Sequence, residues 1–114
     1  MTSVRLSPQW QIGPADAGLV ADPLLALLDA VHDSGGIAQA ARELGWSYRH
    51  AWGLLRQGEA LLGQPLLERG RGRGSQLTDT ARRLVWAQAR VNARLQPLLE
   101  SLASEIEADL GRAN

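Results

Sequence analysis

The sequence contains no cysteine and no lysine. The first absence excludes disulfides, thiolate metal sites and cysteine nucleophiles, and fits a cytoplasmic chain. The second makes every one of the twelve basic residues an arginine. With so much Ala, Leu and Gly around them, this reads as the codon bias of a GC-rich genome, and arginine has an added advantage wherever a phosphate is gripped. No apolar run approaches the length of a bilayer, so no membrane partner is expected. The N-terminus shows no basic region followed by an apolar stretch, so no signal peptide is expected either. The two histidines, His32 and His50, have no spaced carboxylate pair near them. Without a nucleophile, base and orienter set, no catalytic residue, metal ligand or cofactor is expected.

The chain also lacks net charge, yet the charges are not evenly spread. Residues 46–95 carry nine Arg against Glu59, Glu68 and Asp79, a balance of +6, while residues 1–45 and 96–114 each sum to −3. A basic middle between acidic ends is a localised footprint of the kind a nucleic-acid partner needs, although a solvated face would look similar. At 114 residues there is room for one domain and an appendage.

Along the chain, Val4, Leu6, Trp10 and Ile12 alternate with polar residues, which predicts a strand interrupted by Pro8. Residues 13–21 read as a linker. Asp22-Pro23 predicts a helix start with Asp22 as the cap, ending near Asp33 before Ser34-Gly35-Gly36. A short helix follows over residues 37–44, stopped by Gly45. Ser47 caps a third helix over residues 48–62. Gly53 and Gly58 weaken that helix by about 1 kcal/mol each, so packing or a close approach is expected at both. Residues 65–69 and 75–77 form a hairpin around the Arg-Gly tip at residues 70–74. Thr78 then caps a long last helix in which Pro97 predicts a kink or break. The fold class is therefore mainly α with a small β-hairpin wing. Residues 1–20 are N-terminal strand and linker, 21–78 a winged helix-turn-helix, and 79–111 a dimerisation helix.

Residues 37–55 carry the strongest signal. Two helices that cross steeply need small residues where their backbones meet, and Ala40, Ala41 and Ala51 supply them. Gly45 suits the left-handed turn, and Leu44, Trp46 and Leu54 are apolar inward candidates. The third helix then presents its first turn to a major groove. The candidate DNA-binding residues are Ser47, Tyr48, Arg49, His50, Trp52 and Arg56, with Arg69, Arg71 and Arg73 on the wing. Arg49 can donate a bidentate pair to guanine, and Ser47 with the first amides of the helix can hold a phosphate. Ser47 is a cap in any case, Tyr48 can staple the helix to the domain, and Trp52 fits packing and contact alike. The Arg-Gly tip lacks the ending of a P-loop, and suits phosphates, a small anion or plain solvent.

In the last helix Val91, Leu95, Leu98, Leu102, Ile106 and Leu110 continue a one-sided stripe further than a small winged domain can cover. The expected partner is the same helix of a second copy, making a homodimer. The alternative is a helix folded back on its own domain at Pro97.

The Gly-Gly-Ile-Ala-Gln-Ala-Ala opening of the second helix, the Ser47-Tyr48-Arg49-His50-Ala51-Trp52 segment, the Leu-x-Glu-Arg strand, the Gly-rich wing and Leu77-Thr78 resemble the N-terminal domain of the ModE family of molybdate-responsive regulators. The wider likeness is to LysR-type regulators. The resemblance covers roughly residues 21–98. It implies a winged helix, dimerisation through the terminal helix, and binding of a two-fold operator through Ser47, Tyr48, Arg49, Trp52 and the wing arginines. The genes implied are those of molybdate or related oxyanions. Residues 99–114 offer nothing to build an oxyanion site, so binding of molybdate by this chain is not expected. The competing function is a winged-helix protein-interaction module with no specific DNA binding.

Overall fold

The computed structural model describes residues 2–72 and 74–113. They fall into two compact units. One spans Gln9–Trp86, and the other combines the segment up to Pro8 with the chain from Ala87 onward.

The first unit opens with a two-stranded antiparallel hairpin, β1 (Gln11–Ile12) and β2 (Leu19–Val20), with Gln11 opposite Val20. The strand expected over residues 4–12 is thus cut to its last two residues, and its partner arises inside the expected linker. Val4 lies in the other unit, donating its N–H to the Glu107 carboxylate at 2.7 Å.

Strand β2 runs directly into α1 (Ala21–Ser34). The N-cap is Val20, with no side-chain cap bond, instead of Asp22. The reason is local: the Ala21 N–H donates to the Trp10 carbonyl at 2.9 Å, so the hairpin supplies an acceptor that a cap would otherwise provide. Asp22 sits in the first turn, where a carboxylate suits the helix dipole. Helix α1 ends at Gly35, whose φ of 84° is left-handed and whose N–H donates to Val31.

Helices α2 (Ile37–Leu44) and α3 (Tyr48–Leu62) follow with the expected bounds. Strands β3 (Leu67–Arg69) and β4 (Ser75–Leu77) pair antiparallel, with Arg69 opposite Ser75. Thr78 Oγ1 accepts from the Ala81 N–H and donates to the Pro65 carbonyl, so it both starts α4 (Asp79–Ala113) and ties it to the chain before β3. Leu24, Leu27, Leu28, Val31, Leu55 and Leu66 are fully buried and form the heart of the core. One member of that heart, Leu66, just before β3, is also fixed from α3: the Glu59 carboxylate accepts the Leu66 N–H at 2.8 Å.

The two helical glycines of α3 part company. A Cβ on Gly58 would stand 2.7 Å from a methyl of the fully buried Leu24 and 3.4 Å from Leu66, so close packing accounts for that glycine. A Cβ on Gly53 would meet nothing within 4 Å, so packing within the chain does not account for it.

In the second unit α4 continues without a break through Pro97. A proline there leaves the Ala93 carbonyl without its helical donor. Ala93 and Pro97 are both exposed, so water can take that carbonyl. Ala103 is buried and Leu99 half-buried, whereas Leu95, Leu98, Leu102, Ile106 and Leu110 are exposed. Val91 is half-buried. Leu84, which shares their periodicity, packs instead on the core of the first unit. No helix of the described residues is long and apolar enough to cross a membrane.

Candidate nucleic-acid interface

The turn between α2 and α3 is built by Gly45, at φ 72°, whose N–H donates to Arg42, while the Trp46 N–H donates to Ala41 at 2.8 Å. This pair of bonds satisfies the last carbonyls of α2 and swings the chain sharply into α3. Ala40, Ala41 and Ala51 are buried, which lets the two helices approach closely. Ser47 takes an extended conformation and its Oγ accepts the His50 N–H at 3.0 Å. A cap is therefore in place at the start of α3, and it satisfies one of the first-turn amides.

On the outer side of α3, Tyr48, Arg49, His50 and Arg56 are exposed and Trp52 is half-buried. Tyr48 and Trp52 meet edge to face at 6.1 Å, and the Arg56 guanidinium lies 5.6 Å from the Trp52 ring centre. Spacing of four residues puts these three in one row, so Trp52 serves packing and surface together. It holds the tyrosine and the arginine in an ordered ladder. His50 packs edge-on against Trp46 at 5.1 Å, giving each ring a neighbour that sequence spacing had not disclosed.

The wing is anchored at its root. The Ser75 N–H donates to the Gly35 carbonyl at 2.8 Å, joining β4 to the turn between α1 and α2. Gly74, at φ 94°, comes so close to the Gly35 carbonyl that a Cβ would collide with it. The Gly70 N–H donates to Gly74 at 3.1 Å and closes the loop, and Gly72 is left-handed at φ 83°. Arg69, at the end of β3, and Arg71, on this loop, are exposed. Arg73, the third expected wing cation, lies outside the described residues.

The electrostatics distinguish two groups of arginines within the basic middle. Arg82 donates to the Leu77 carbonyl and neighbours Asp79, and Arg83 pairs with Asp79 at 2.8 Å. These two are partly committed to the start of α4. Among the described residues, no ion pair engages Arg49, Arg56, Arg69 or Arg71. Four cations are thus available on α3 and the wing. Away from them, partial burial pushes the Asp29 carboxyl above its usual range, aided by repulsion from Asp33 and opposed by His32. Among the described residues no group of three or more His, Cys, Asp or Glu side chains could hold a metal ion.

The arrangement has counterparts among known proteins. The family model described as bacterial regulatory helix-turn-helix protein, lysR family, matches residues 23–82. The chain is 30% identical to the molybdenum transport protein ModE of Azotobacter vinelandii, over 97% of this chain and 43% of that protein. It is 33% identical to the molybdenum-pterin-binding protein MopB of Rhodobacter capsulatus, over 75% of this chain and 33% of that protein. The chain therefore spans less than half the length of these curated relatives. Among solved structures it is similar to the DNA-binding domain of CbnR in complex with DNA, at 27% identity and TM-score 0.53, covering 81% of this chain and 97% of that one. The match extends over α1, the helix-turn-helix, the wing and the start of α4, and the chain belongs to the LysR family of bacterial regulatory helix-turn-helix proteins, DNA-binding regulators of transcription.

Proposed function

We propose that this protein reads a two-fold operator as a homodimer, with α3 in the major groove and the β3–β4 wing along the phosphates. The observation that carries this reading is the exposed first turn of α3. There stand a Ser47 cap and Arg49, which no ion pair engages among the described residues, and the Tyr48–Trp52–Arg56 ladder leads on from them. Arg49 reads a base edge, while Ser47, Arg69 and Arg71 meet phosphates. The partner copy covers the exposed Leu95, Leu98, Leu102, Ile106 and Leu110 of α4, with Val91 at the head of the same stripe. The regulated genes belong to the handling of molybdate or a related oxyanion, a reading supported by the likeness to ModE. Oxyanion binding is not assigned to this chain. The protein works in the cytoplasm as a regulator without catalysis, a reading supported by its place in the LysR family.

Binding to a duplex from upstream of its own gene, against a random duplex of equal length, tests the reading across a salt series. The upstream duplex should bind more tightly, and log affinity should fall against log salt with a slope of about −0.9 per phosphate contact. Weak, equal and salt-insensitive binding to both would favour a protein-interaction module.

Arg49→Ala checks the assignment within α3. It should relax discrimination at one base pair, costing about 1–3 kcal/mol against the preferred base, with the other positions retained. A uniform loss on all duplexes would make Arg49 a phosphate contact.

A further inference from the structure

Helix α3 carries a glycine that its own fold does not use. Gly58, five residues on, is excluded from having a side chain by Leu24 and Leu66. Gly53 is exposed, and open space lies where its Cβ would be. Its backbone is helical, so no left-handed turn demands a glycine there. Gly53 nevertheless weakens the helix that carries the whole candidate interface.

Its place on α3 supplies a reason. Gly53 follows Arg49 by four residues and precedes Arg56 by three, so the three share one face of the helix. Arg49 and Arg56 have no ion pair among the described residues, and the Trp52 ring, under the Arg56 guanidinium, borders the same face. The result is a bare strip of helix backbone between two available cations. A duplex drawn in by those cations can come closer to the helix axis at Gly53 than at any residue with a side chain.

We infer that Gly53 is a positioning residue for DNA. At this point the α3 backbone lies against the duplex, in space that a Cβ would take. The inference rests on the docking of α3 proposed above, and adds the depth at which that helix is seated.

Stability and affinity should move in opposite directions. Gly53→Ala and Gly53→Leu introduce better helix formers into open space, and each should raise Tm by roughly 4–8 °C. Affinity for the upstream duplex should fall from Gly to Ala to Leu, by about tenfold at the first step and more at the second. Retention of the random-duplex salt slope in both variants would show that the cations still engage. If the two variants are stabilised and bind the upstream duplex as well as the parent does, Gly53 has no positioning role, while the DNA-reading function stands. If the parent protein itself binds neither duplex at low salt, the docking of α3 and the inference fall together.

Discussion

Leu102→Asp should turn the proposed dimer into a monomer. Leu102 is 39% exposed in the single chain, on a stripe shared with Leu98 and Ile106 and in line with Leu95 and Leu110. A neighbouring side of this helix is occupied: Ala103 is buried, and Glu107 accepts the Val4 N–H. The stripe is exposed apolar surface that a second copy would cover. In a two-fold interface each substitution is present twice, once from each subunit. A carboxylate buried there without a partner costs several kcal/mol, and two of them face the same seam. Sedimentation velocity should show a single monomeric species. Operator affinity should then fall by about 10²–10⁴-fold, because the second half-site is no longer delivered at high effective concentration. Helix content should change little, since the substituted side chain was already in water in the monomer. An unchanged sedimentation coefficient would move the subunit contact off this stripe.

How far the architecture could be read in advance depended on how local its causes were. Helices α2 and α3 ended where expected because Gly45 and Gly63 both take the left-handed conformation just past the last turn. Ser47 and Thr78 acted as caps through bonds that span only three residues. These signals are printed in adjacent positions, and nothing distant overrides them. The β1–β2 hairpin was invisible because two residues per strand hold too little periodicity to recognise. Asp22 lost its capping role to a carbonyl from Trp10, brought there by that same hairpin. Pro97 stayed within a helix because the carbonyl it orphans faces water, which depends on which side of α4 is covered.

The candidate interface shows the same division. The residue types on α3 follow from the helix-turn-helix pattern, but their mutual arrangement does not. That Trp52 organises Tyr48 and Arg56, and that His50 leans on Trp46, is settled by rotamers and not by spacing. The bond from Ser75 to Gly35 joins residues forty positions apart, so the rigidity of the wing root could not be anticipated from the Arg-Gly tip alone. Glu59 had counted only as a negative charge diluting the basic middle. In the fold it holds the Leu66 amide and so sets the path of the chain into the wing.

Leu55→Ala should be strongly damaging to the winged domain while leaving every surface residue in place. Leu55 is 1% exposed and belongs to the same core cluster as Leu24, Leu28, Ala51 and Leu66. It lies on the inner side of α3, where Gly58 already brings the helix close to Leu24. Truncation there removes buried methyl groups and leaves a cavity in a region packed too tightly to close over it, at a cost of about 2–5 kcal/mol. Domains of this size are stable by only about 5–15 kcal/mol in total, so the loss is a large fraction. Denaturant unfolding should show a lower midpoint with an unchanged slope. DNA affinity should suffer only as far as the folded population does, because Arg49, Trp52 and Arg56 keep their places whenever the domain is folded. Measured at a temperature where the variant is fully folded, binding should return to near the parental value. A persistent loss under those conditions would mean that the core side of α3 controls the orientation of its outer side, and that the interface is tuned by packing as well as by the residues that touch DNA.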